Sequence, residues 1–225
     1  MTTMVGERSA VVECIRAVPR PEARMPTERE DALTARQREI LDELSRLFEN
    51  GWADLTMADL AARLNCSLRT LYELAPTRDD LVLTVVDRNL WHVGHGAMSS
   101  VAGATMGPLD AVRAYLRAAT VAVGSVSPAF ARDLAAMPAA QALEDAHSDY
   151  LVAVTRALLD LAVADGDIDA VDTAAVARSI AGLGRDFSRP EVMATLGSSP
   201  KDAADSIVDL VLRGLRTTES DPGGS

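Results

Sequence analysis

Residues 56–75 read TMADLAARLNCSLRTLYELA, and the spacing within them decides how the rest of the chain is read. Leu60, Ala61 and Leu64 fall on one face of a helix with 3.6 residues per turn. Thr56 precedes Met57 with Asp59 at the third helical position, a capping-box start that satisfies free backbone N–H groups. Asn65 tolerates the left-handed backbone that ends a helix, Ser67 can cap the next one, and Pro76 stops that helix after about Leu74. Two short helices therefore meet at a tight polar turn. Ala58, Ala61 and Ala62 are small enough for close helix approach, and Leu64 and Leu71 fill a shared core. The second helix then offers Ser67, Leu68, Arg69, Thr70 and Tyr72 outward, as a helix entering a DNA major groove about 12 Å wide must do. Arg69 suits a guanine or a phosphate, while Thr56, Ser67, Thr70, Tyr72 and Arg78 suit phosphate oxygens. The same spacing also fits two short packing helices in a bundle.

Helical periodicity extends in both directions from this pair. Upstream, Leu33, Ile40, Leu41, Leu44, Leu47 and Phe48 mark a first helix over about 33–49, with Asn50-Gly51 where a left-handed cap belongs. The preceding stretch, 1–32, holds Pro19, Pro21 and Pro26 among mixed charges and reads as a flexible arm. Downstream, Thr77 caps a fourth helix running from Arg78 to about Val93, whose Leu81, Val82, Val85, Val86, Leu90 and Trp91 form a broad apolar face. Residues 33–93 thus make one domain. Residues 94–107 are rich in Gly, Ser and Ala and read as a hinge. Beyond it, Pro108 and Ser127-Pro128 open two helices, a long one follows from about Pro138 to Asp165, and Asp172 and Ser199-Pro200 cap the last two. A second, all-helical domain over 94–218 follows, with 219–225 as a disordered tail. No alternating run is bounded by hairpin signals, so the chain reads as all-α with about nine helices.

The whole chain of 225 residues carries a formal net charge of −11, which by itself argues against a polyanionic partner. The charge is unevenly spread. Residues 60–78 hold Arg63, Arg69 and Arg78 against Glu73, whereas 93–225 hold 10 basic and 17 acidic residues. The acidity thus lies mainly in the half that need not touch DNA. Cys14 and Cys66 lie far apart with no paired spacing, so neither a disulfide framework nor a thiolate zinc site is expected, and a reducing cytoplasm fits. Apolar runs fall well short of the ~20 residues needed to span a bilayer, and no export signal is read at the N-terminus. Nucleophile elbow, phosphate loop, dinucleotide fingerprint and HExxH are all missing, so an enzyme is not expected.

Residues 33–90 resemble the DNA-binding domain of the TetR family of transcriptional regulators. The resemblance rests on a first helix ending in N-G-W, on L-T-M-A-D-L-A-A-R-L, and on S-x-x-T-L-Y-x-x-x-P-T-R-D-D-L-V. It implies that Thr56 contacts phosphate at the start of the second helix, that Ser67, Leu68, Arg69, Thr70, Leu71 and Tyr72 form the recognition helix, and that Arg78 contacts phosphate. It also implies a ligand-binding and dimerisation domain in the helical remainder. The chain departs from the family at Glu73, Leu74 and Ala75, where aromatic or imidazole side chains are frequent. A shorter stretch, Leu33 to Ile40, resembles the opening of LuxR-type helix-turn-helix domains. The expectation is a homodimeric regulator, a repressor on a palindromic operator; the alternatives are an all-α interaction or small-molecule-binding module, or a LuxR-type regulator.

The effector would be largely apolar and would sit among Trp91, His92, His95, Met98, Tyr115, Phe130, Met137, His147 and Tyr150. His92 and His95 lie three apart without a third ligand nearby, so neither a metal nor another cofactor is expected. The resemblance places the dimer contact on the last two long helices, where Val176, Ile180, Leu183, Ile207, Leu210 and Val211 supply apolar surface.

Overall fold

The structure, a computed structural model, describes residues 7–102, 106–120, 127–187 and 189–216. Twelve α-helices follow one another among these residues, and the extended pairing is a single bridge between Ile168 and Arg216. The helices are α1 (Glu7–Arg16), α2 (Thr27–Ala32), α3 (Ala35–Phe48), α4 (Met57–Arg63), α5 (Leu68–Leu74), α6 (Arg78–Ala102), α7 (Pro108–Ala119), α8 (Pro128–Ala136), α9 (Pro138–Ala164), α10 (Thr173–Phe187), α11 (Pro190–Met193) and α12 (Pro200–Leu215). The all-α expectation holds.

Two hydrophobic cores organise the chain. The first, in the head, gathers Ile40, Leu41, Leu44 and Phe48 of α3 with Leu60, Leu71, Leu74, Leu81 and Val85 of α4 to α6. The second, in the body, gathers Val112 and Tyr115 of α7, Val154, Leu158 and Leu159 of α9, Ala177 and Ile180 of α10, and Val208 and Leu212 of α12. The local chemistry that starts and stops the head helices is as the spacing predicts. Thr56 and Asp59 form a reciprocal capping box, Ser67 accepts from the backbone N–H of Thr70, Asn65 takes φ 46°, and Gly51 takes φ 89°. Gly51 has a second constraint, since an added Cβ would sit 2.8 Å from an Asp133 carboxylate oxygen.

Two expectations differ from the structure. The described part of the stretch read as a flexible arm is largely helical and packed. Val11 and Ile15, four apart on α1, are buried in the body core, and Met25 is buried in the head core. Arg29 of α2 donates to the carbonyl of Leu74 at 2.8 Å, and Glu30 pairs with Arg88 at 2.9 Å. The second difference concerns the hinge: α6 runs through Gly94 and Gly96 to Ala102 without a break. It does so because one end lies in each core, Leu81 to Val86 in the head and Ala97 and Val101 in the body, and burial at both ends outweighs the weak helix propensity of the glycines between them. At 1.5 Å per residue the helix is about 37 Å long and joins the two cores as one rod. Residues 103–105 of that expected hinge, and the expected tail at 219–225, lie outside the described residues.

Candidate functional site

Helices α4 and α5 pack on the head core and present a small polar and aromatic face. Leu60, Ala61, Leu64, Leu71 and Leu74 turn inward and are buried, which leaves the opposite face of α5 outside. There Leu68 is 45% and Tyr72 53% exposed, large apolar groups that a monomeric surface seldom leaves open together. Arg69 extends beside them and pairs with Glu73 one turn later at 3.0 Å. Ser67 and Thr70 hold each other through hydroxyls 2.8 Å apart, and Thr56 is exposed at the N-terminus of α4.

Two of the expected DNA-contact residues lie elsewhere. Leu71 is fully buried in the head core, because it shares with Leu74 the face of α5 turned away from Arg69 and Tyr72. Arg78 is committed to the protein: its guanidinium donates to the carbonyls of Leu55, Trp52 and Ala53 and pairs with Asp79. It ties the loop before α4 to the start of α6.

Between head and body lies a cavity of about 450 Å³. Its walls come from α3, α6, α7, α8, α9, α10 and α12. On α9 the residues Glu144, His147, Ser148 and Leu151 recur at helical spacing and share the cavity face. Gly94, Ala97, Ala119, Ala181 and Ala204 leave it room. Of the nine residues expected here, His92, Tyr115, Phe130, His147 and Tyr150 line the cavity. Trp91, His95, Met98 and Met137 are not among its walls. Trp91 packs edge-on against the far side of His147, with ring centres 5.2 Å apart, and His95 lies against Trp91. Met98 packs on the body core, and Met137 is the N-cap of α9 beside the head core.

The polar groups around the cavity are mostly held by neighbours. His147 Nε2 lies 3.0 Å from Asp87, a buried carboxylate of α6 whose other oxygen accepts from the backbone N–H of Arg24 at 2.8 Å. Ser45 donates to Asn89 at 2.7 Å, joining α3 to α6. Arg185 pairs with Asp145 at 3.1 Å. Burial, with Arg88 nearby, pushes the His92 imidazole down and keeps it neutral at neutral pH. Burial pushes the Glu144 carboxyl up. Ser45, Asn89, Glu144 and Arg185 are too far apart in sequence for local spacing to group them; only Glu144 and His147, three apart, share a local signal.

A second junction joins the body to the head beside this cavity. Asp133 of α8 accepts from the backbone N–H groups of Trp52 and Ala53, the second at 2.8 Å, and Ser127 donates to the carbonyl of Glu49. Phe130 stacks edge-on against Trp52 with ring centres 5.1 Å apart. The loop that follows α3 is thereby clamped between Arg78 of α6 and the first turns of α8.

The overall fold of the chain is similar to that of a set of solved transcription regulators. The chain aligns with a TetR transcription regulator from Haloarcula marismortui at a TM-score of 0.70 and 19% identity, covering 82% of this chain and 100% of that one. The chain has the TetR fold. A TetR transcriptional regulator from Streptomyces coelicolor gives a TM-score of 0.56 at 23% identity, covering 81% of this chain and 99% of the other. A ketosteroid transcriptional regulator from Mycobacterium tuberculosis gives 0.55 at 17% identity, covering 83% and 97%. No family model matches the chain, and no curated protein matches it in sequence.

Within this TetR fold the six residues expected at a dimer contact divide by exposure. Leu210 is 59% exposed, and Val176, Leu183, Ile207 and Val211 are half-buried on α10 and α12. Ile180 is buried, and both Ile180 and Leu183, three apart on α10, line the cavity, since the face that carries them turns inward. No helix among the described residues is long and apolar enough to cross a membrane.

Proposed function

We propose that this chain is a DNA-binding transcriptional regulator, a homodimeric repressor that binds a palindromic operator and is released by a small molecule held in the cavity. The observation that carries the reading is the outer face of α5: Leu68, Arg69 and Tyr72 stand exposed on a helix fixed by a buried core on its other side. Side chains so placed can enter a major groove, and a second copy about 34 Å away would enter the next. Leu210 and its neighbours on α10 and α12 provide the apolar surface for that second copy. Thr56 and Thr70 supply hydroxyls for phosphate.

The cavity supports regulation because its walls belong to head and body at once. Ser45 and Glu49 come from α3, and α6 and α8 carry the clamps on the loop at 49–53. A ligand that binds better when these walls are displaced would shift the two heads away from the operator spacing, by no more than its difference in affinity for the two states.

Gel-shift titration with the DNA upstream of the chain's own gene tests the assignment. Arg69→Ala should weaken binding by about 1–3 kcal/mol and relax preference at one base pair. Equal loss on every sequence would reduce Arg69 to a phosphate contact. A double variant, Arg69→Ala with Tyr72→Ala, that still binds as before would remove α5 from the interface.

A further inference from the structure

We propose that the cavity takes an amphipathic cation, an apolar body bearing an ammonium or amidinium group, with Glu144 as its counter-ion. This rests on the reading of the cavity as the effector site. The charge of the lining decides the chemistry. Arg185 already holds Asp145 at 3.1 Å and is itself half-exposed. His147 is held by Asp87. Among the described residues, the charged lining side chains without an ion pair or a side-chain hydrogen bond are two carboxylates, Glu144 on α9, which feels Arg185 only as a nearby positive charge, and Glu49 just past α3.

A carboxylate facing an apolar cavity without a partner is costly, and a cation that enters relieves that cost while satisfying its own charge. Two further features of the cavity favour positive charge. Tyr115, Phe130 and Tyr150 are among its walls, and aromatic ring faces attract cations. Helix α3 ends at the wall, so the negative end of its dipole points the same way. An anion could draw Arg185 from its exposed pair with Asp145 at little cost, but it would then lie beside Glu144.

Three ten-carbon probes with one tail separate the possibilities: decyltrimethylammonium, decanol and decanoate, titrated by calorimetry into the full-length protein below their micelle concentrations. In the unmodified protein the cation should bind at least about ten-fold tighter than decanoate. In Glu144→Gln the cation should lose about ten-fold while decanol, which also reports a folded cavity, stays within about two-fold. Decanoate binding as tightly as the cation to the unmodified protein overturns the proposal and leaves the cavity reading standing. So does an equal loss of cation and decanol in Glu144→Gln. Failure of all three probes to bind overturns the cavity reading itself, and this proposal with it.

Discussion

Arg69 and Arg78 are nine positions apart in one basic stretch, yet their surroundings give them opposite work. Arg69 reaches solvent and is held by Glu73 alone, a surface pair worth little that DNA phosphate can displace. Arg78 makes three bonds to loop carbonyls, and without it those acceptors lose a charged donor. Arg78→Ala should therefore lower stability by about 2 kcal/mol in denaturant unfolding; unchanged stability with weakened DNA binding would return Arg78 to a phosphate role. Glu144 makes a prediction of its own. Its carboxyl is raised above the usual value of 4.5 by burial, so folding favours the protonated form and the ionised form costs stability as pH rises past that value. Glu144→Gln should raise the melting temperature by about 2 °C near pH 8, and the gain should vanish as pH falls below about 4.5. A gain that persists at low pH would mean that packing, not charge, separates the two side chains.

At the scale of elements the junction between α3, α6 and α8 is where the proposed coupling would pass. Each partner alone is ordinary: a carboxylate, a hydroxyl and an aromatic ring at the start of a short helix. Together they hold the segment that leads into α4, and so set the position of the helix pair. Asp133→Ala leaves two backbone N–H groups without their acceptor, at a cost of about 1–3 kcal/mol to that junction. Hydrogen exchange should therefore accelerate at Trp52 and Ala53 while the buried α3 amides near Leu44 keep their protection. Acceleration throughout the head would show that Asp133 supports the whole domain instead. Continuity of α6 matters for the same reason, because a broken connection through Gly94 and Gly96 would not transmit a displacement of the body.

For the whole molecule, under the proposed function, the acidic balance of −11 would restrict attraction to DNA to a few contacts near α4 and α5, and predicts a shallow dependence on salt. Affinity then depends on two heads binding together. Leu210→Asp, on the exposed apolar face of α12, should weaken self-association by about 2 kcal/mol and operator binding with it. Sedimentation at micromolar concentration would reveal monomers; a variant that remains fully dimeric would move the contact off this face.

Local chemistry was legible in the chain as written. Thr56 with Asp59, Ser67, Asn65 and Gly51 determine where the head helices begin and end, because a cap or a left-handed residue acts on backbone groups within four positions. Helical spacing determined the all-α class and the burial of Leu60, Leu64 and Leu71. Tertiary structure decided the rest, since the deciding partners are remote in sequence. Arg78 finds its acceptors 23 to 26 residues away, His147 finds Asp87 at 60, and Asp133 reaches the Trp52 backbone across 81. The glycines of α6 are helical because two separate cores grip its ends, and Glu144 lacks an ion pair because its neighbour Arg185 turns to Asp145. Periodicity tells which face of a helix turns inward; only packing tells what that face meets.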